Sequence, residues 1–89
     1  MPRKSNLYSQ HPTTTVLYEA SWCPDCRRVR SFLDERGIKY TAVDAGKDPK
    51  AYAFLERILR RVRLPAVFFP DGSMAVEPSE SELARHFPQ

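Results

Sequence analysis

Between Thr15 and Asp44 a strand, a helix and a second strand follow one another without a linker, and no other feature restricts this chain so tightly. Thr15 to Glu19 (TVLYE) carries the β-branched and aromatic residues of a strand. Pro24 suits a first helical position, where a missing N–H costs nothing. The helix is expected to run to about Arg36, with Gly37 as its left-handed stop. Cys26, Val29, Phe32 and Leu33 are spaced to share one inward face. Ile38 to Asp44 (IKYTAVD) then reads as a strand. Two strands joined by a crossover helix lie parallel, and such connections are right-handed in nearly all folds.

The rest of the chain completes the pattern. Asp48 is placed to cap a second helix that opens on Pro49. Its stripe of Ala51, Phe54, Leu55, Ile58, Leu59 and Val62 reads as a core face rather than a cofactor box. Ala66 to Phe69 is an apolar strand, Pro70-Asp71-Gly72 a turn, and Ser73 to Val76 its antiparallel partner. Ser79 and Glu82 form a capping box for a last helix ending near Phe87. The expected order is β-α-β-α-β-β-α, an α/β domain with a four-stranded mixed sheet and three helices. A chain of 89 residues supports a single such domain. Residues 1–13 are polar and aperiodic and read as a loose arm ahead of a domain over residues 14–89.

Composition excludes several classes. No apolar run approaches the roughly 20 residues of a membrane-spanning helix, so no membrane association is expected. The first residues, MPRKSNLYSQHPTTT, do not read as a secretory signal, and a cytoplasmic address is expected. The net charge is +3, with arginines gathered at Arg27, Arg28 and Arg30 and at Arg57, Arg60, Arg61 and Arg63. Solvated helix faces account for them, and so does an electropositive rim that attracts carboxylates. Nucleic acid is not an expected partner, because no aromatic residues interleave with the arginines as a stacking platform.

The chemistry concentrates in SWCPDC, which holds Cys23 and Cys26, the chain's two cysteines. A zinc site wants four ligands, and neither His11 nor His86 stands at ligand spacing from the pair. No metal and no bound cofactor are expected. Simple packing would explain Cys26, on the inward helix face, but not Cys23, which the helix start is expected to leave exposed. A redox pair explains both. A helix N-terminus carries about half a positive charge and favours thiolate over thiol, so Cys23 reads as the attacking sulfur. Arg27 adds to that field and Asp25 opposes it. Cys26, one turn on and shielded, reads as the resolving thiol. A C-x-x-C that opens a helix after a strand is the thioredoxin-like arrangement.

VLYEASWCPDCRRVRSFLDERGIKYTAVDAGKDPKAYAFL resembles the front half of a glutaredoxin, and RLPAVFFPDG resembles that family's cis-proline segment. The resemblance spans about Thr15 to Phe87. It implies a thioredoxin/glutaredoxin-like fold and a thiol–disulfide oxidoreductase, with Cys23 as nucleophile and Cys26 as resolving thiol. It also implies that Pro65 is cis beside the thiols and that the Leu64 backbone pairs with bound substrate. Trp22 is expected at the rim. Trp22, Pro24, Leu64, Pro65 and Ser79 are thus the expected substrate-binding residues, and the expected unit is a monomer. The partners implied are a low-molecular-weight thiol, thiolated or disulfide-containing client proteins, and a reductase as electron donor. The tryptophan before Cys23 and the FFPDGS…EPSESEL stretch look most like mycoredoxins, which act on mycothiol mixed disulfides. Glutaredoxins usually carry Gly-Gly and acidic residues before the last helix to hold glutathione. Here Ala75, Val76, Glu77, Pro78 and Ser79 stand instead, so a mycothiol-like partner is expected rather than glutathione. The alternative is a dimeric carrier in which two first cysteines bridge an iron–sulfur cluster; Pro24 after Cys23 disfavours it in that family.

Overall fold

The structure is a computed structural model and describes residues 7–87. Seven elements follow in the expected order: β1 (Thr15–Glu19), α1 (Pro24–Glu35), β2 (Tyr40–Asp44), α2 (Pro49–Leu59), β3 (Ala66–Phe68), β4 (Met74–Val76) and α3 (Glu80–His86). They build one sheet in the order β2-β1-β3-β4. The β1–β2 pair is parallel, from Thr15 opposite Tyr40 to Glu19 opposite Asp44. The β1–β3 and β3–β4 pairs are antiparallel. Among the described residues no helix is long and apolar enough to cross a membrane.

Side chains alternate across β1, which is buried along its whole length. Val16 and Tyr18 face α2, in a cluster with Val43, Ala51, Phe54, Leu55, Ala66 and Phe68. Leu17 faces the other way, with Val29, Phe32 and Leu33 of α1, Val67 of β3 and Leu83 of α3. Each fully buried apolar side chain of this size contributes about 1.5–3 kcal/mol, so a central strand covered on both faces anchors the domain.

Boundaries follow local hydrogen bonding. The second strand begins at Tyr40 rather than Ile38, because the Ile38 N–H is spent on the Leu33 carbonyl at 3.0 Å. That bond, with Gly37 N–H donating to Asp34 O and Gly37 at φ 67, closes α1. Helix α2 stops at Leu59 on Arg60, which takes the left-handed conformation at φ 73 where glycine is the unstrained choice. Glu77 sits in the same region at φ 51; such a conformation costs a non-glycine residue about 1–2 kcal/mol. The expected capping box is present: the Ser79 hydroxyl accepts the Glu82 N–H, and the Glu82 carboxylate accepts the Ser79 N–H.

The segment read as a loose arm is tied down over the part that is described. Leu7 and Tyr8 pack against the α2-side core. The Tyr8 N–H donates to the Tyr18 hydroxyl at 2.8 Å, and the Tyr8 hydroxyl donates to Asp48 Oδ2 at 2.6 Å. Polarity along residues 1–13 hid this, since the partners lie on β1 and at the cap of α2. Residues 1–6 of the expected arm lie outside the described residues.

The Tyr8–Asp48 bond makes stability depend on pH at both ends. The Tyr8 hydroxyl holds the Asp48 carboxyl below its ordinary value of 3.8, and the carboxylate raises the Tyr8 phenol to about 12. A lowered carboxyl contributes stability above its unfolded value and loses it as pH falls. A raised phenol contributes below its unfolded value and loses it as pH climbs towards about 12. Tyr8→Phe is therefore expected to lower the unfolding temperature most between about pH 5 and 9, with the difference shrinking below about pH 4. Thermal melts of both proteins across pH check this; a constant offset at every pH contradicts it.

Candidate active site

Cys23 is the N-cap of α1, a position most helices give to Ser, Thr, Asp or Asn. Its backbone is extended, its N–H donates to Ala20 O at 3.1 Å, and its sulfur accepts the Cys26 N–H at 3.2 Å. Sulfur thus replaces the usual oxygen cap. The positive end of the helix and a backbone donor both face the atom that must carry negative charge in thiol exchange.

Cys26 lies one turn inside α1 and is fully buried. Burial first, then its hydrogen bond to Cys23, push its thiol up to about 12; the Cys23 and Glu19 charges act in the same direction. At neutral pH Cys26 keeps its proton. Both cysteines are free thiols, and the sequence expectation that Cys23 is exposed is corrected. Cys23 is 6% exposed, packed with Ala20, Cys26 and Leu64.

Leu64 comes from the segment leading into β3, where the Leu64–Pro65 bond is cis as expected and Pro65 is buried. Leu64 also lines a cleft of about 350 Å³, together with Trp22, Gly46, Tyr52, Arg63 and Glu77. Trp22 is 71% exposed on its rim, with its indole nitrogen 3.5 Å from where a Cβ on Gly46 would stand. Tyr52 presents a second ring, 48% exposed.

Of the expected site residues, Cys23, Cys26 and Leu64 pack together, and Trp22 and Leu64 carry the site into the cleft. Pro24 is exposed at the first position of α1. Ser79 does not line the cleft, and its hydroxyl and N–H are both engaged by Glu82. The histidines belong to the far end of the β3–β4 hairpin, with His86 stacked on Phe69 at 3.9 Å and His11 against Gly72.

Two of the arginines near the thiols, Arg28 and Arg30, have structural partners. Arg30 forms an ion pair with the largely buried Glu19. Arg28 donates to the Pro78 carbonyl at 3.1 Å and lies 3.8 Å from the exposed carboxylate of Asp25. An Asp25 charge so solvated and paired opposes the Cys23 field only weakly. Among the described residues the basic one that lines the cleft is Arg63, and its guanidinium stands 3.5 Å from Glu77 Oε1. Sequence reasoning placed Arg63 in a candidate electropositive rim and Glu77 in the stretch that replaces the glutathione-holding element, but singled out neither Tyr52 nor the pairing of Arg63 with Glu77. An aromatic beside the apolar stripe of α2, and an acidic residue one place before Pro78, were the available signals.

The Glutaredoxin family model matches residues 15–74. A Mycobacterium tuberculosis protein named as a glutaredoxin is 34% identical over 69 residues, covering 76% of this chain and 82% of that one. Mycoredoxin 1 of Corynebacterium glutamicum is 29% identical over 72 residues, covering 80% and 89%. The Gene 56 protein of Mycobacterium phage D29 is 27% identical over 55 residues, and the match spans 61% of that protein's length and 62% of this chain. Among solved structures, a glutaredoxin from Archaeoglobus fulgidus superposes with a TM-score of 0.75 at 24% identity, covering 94% of this chain and 96% of that one. The last likeness concerns the fold.

Proposed function

The chain belongs to the glutaredoxin family of thiol–disulfide oxidoreductases, and from that premise we propose that it reduces mixed disulfides between client proteins and a mycothiol-like small thiol. The observation that carries the reading is the capped sulfur: Cys23 Sγ at the start of α1 receives the Cys26 N–H, while Cys26 waits protonated behind it.

The Cys23 thiolate attacks the small-thiol sulfur of the mixed disulfide. A Cys23–small-thiol bond forms, the client S–S bond breaks, and the client leaves as a thiolate that takes up a proton. This removes the negative charge and hydrogen-bond acceptor that help hold the Cys26 proton. Cys26 then gives up its proton, attacks Cys23 Sγ and expels the small thiol, leaving a Cys23–Cys26 disulfide. A second small thiol can instead attack the adduct and regenerate Cys23 directly. Two electrons from free small thiol or a reductase restore the dithiol in the first route. Protein disulfides enter by the same attack. No bound cofactor is required.

Two features support a mycothiol-like partner over glutathione. Pro78 has no N–H to offer, the Ser79 N–H is spent on the Glu82 carboxylate and the Glu77 N–H on the Pro65 carbonyl, so the loop before α3 is poor in backbone donors for a peptide carboxylate. A relative named Mycoredoxin 1 aligns over most of both chains. Each lost charged hydrogen bond costs about 1.5–3 kcal/mol, a tenfold to hundredfold weakening. With one client prepared as either adduct, kcat/KM is expected to favour the mycothiol adduct by at least about tenfold. A tenfold preference for the glutathione adduct contradicts the reading.

A further inference from the structure

We propose that Glu77 sets the substrate class of the cleft by occupying Arg63, so that a thiol recognised through a carboxylate is rejected and one recognised through an uncharged polyol is accepted. The inference rests on the small-thiol reading above and assigns its selectivity to one side chain.

Among the described residues Arg63 is the cationic group lining the cleft beside Leu64 and Trp22, and a natural holder for a ligand carboxylate. Glu77 lines the same cleft, with its Oε1 3.5 Å from the guanidinium. Both side chains are about half exposed, and ion pairs of that kind add little to folding. Their effect falls on what binds between them.

The backbone holds Glu77 there against its own preference. The residue stands at φ 51, where glycine would be unstrained. Its N–H donates to the Pro65 carbonyl at 2.7 Å, and the next residue, Pro78, is buried with its carbonyl held by Arg28. The carboxylate is thus presented from a fixed point. An incoming carboxylate must displace it from Arg63 and then remain beside its charge.

A polyol meets no such penalty. One hydroxyl can donate to Glu77 while accepting from Arg63, so the pair acts as a ready donor and acceptor. The exposed rings of Trp22 and Tyr52 offer apolar faces to the C–H side of a sugar ring.

The test compares glutathione and mycothiol adducts of one client in the wild type, Glu77→Gln and Glu77→Gly. Gln keeps the side-chain shape without the charge, and Gly also relaxes the backbone at φ 51, so the two variants remove the carboxylate with different demands on the fold. Both are expected to shift the kcat/KM ratio towards glutathione by about tenfold, through KM for the carboxylate-bearing adduct. Adding Arg63→Ala to Glu77→Gln is expected to erase the gain, which a merely structural role for Glu77 would not produce. A ratio unchanged in both Glu77 variants, with both adducts still reduced, overturns this inference and leaves the proposed function standing. Wild-type protein that reduces protein disulfides but neither adduct overturns both.

Discussion

Replacing Cys23 with serine is expected to remove reduction of every disulfide substrate, by roughly a thousandfold or more. Cys26→Ser is expected to divide the substrates. Protein disulfides should stall at the mixed intermediate, because their second sulfur is released and no partner thiol remains on the enzyme. Small-thiol adducts should still turn over, because a second small thiol can attack the Cys23 adduct from solution. The asymmetry follows from the site. Cys23 caps α1 with its sulfur facing a backbone donor, while Cys26 is fully buried and keeps its proton. Steady-state rates for each variant with each substrate type check the division. Equal losses across both variants and both substrate types contradict the assigned roles.

The largest expected effect on stability comes from Phe68→Ala. Phe68 is buried in β3, with ring centres 5.5 Å from Tyr18 and 5.3 Å from Phe54. Truncation removes the buried ring and leaves a cavity that three elements cannot close together, at a cost of about 3–5 kcal/mol. Small domains hold only about 5–15 kcal/mol in total. An unfolding midpoint roughly 20 °C lower is expected. The site should suffer with the fold, since β3 starts directly after Leu64 and Pro65. Thermal unfolding followed by circular dichroism measures the shift, and a loss below about 1 kcal/mol would contradict this view of the core.

What the sequence made legible was local. The Ser79–Glu82 box, the Asp48-Pro49 start and the Gly37 stop each depend on side chains that bond backbone within a few residues. The apolar faces of α1 and α2 were legible for the same reason, because helical spacing fixes them. The strand expected from Ile38 failed by two residues, since helix closure and sheet pairing compete for one N–H. The misreadings at the site were non-local. Cys23 is covered by Leu64, which belongs to a distant segment, so its burial left no trace in SWCPDC. Arg63 and Glu77 meet only because they flank the two ends of the β3–β4 hairpin. Tyr8 reads as part of a polar tail until β1 and α2 bring Tyr18 and Asp48 to it.

The central claim is that Cys23 is the atom that takes the small thiol from a client and Cys26 the one that releases it. Mass spectrometry of the covalent intermediate tests it most directly. Cys26→Ser is mixed with a small-thiol adduct of one client, quenched with acid and digested. The account predicts one small thiol per chain, attached to Cys23, and in the wild type a Cys23–Cys26 disulfide with the small thiol released. Client protein attached to Cys23 as the main species, or a small thiol found on Cys26 in the Cys23→Ser variant, would contradict it.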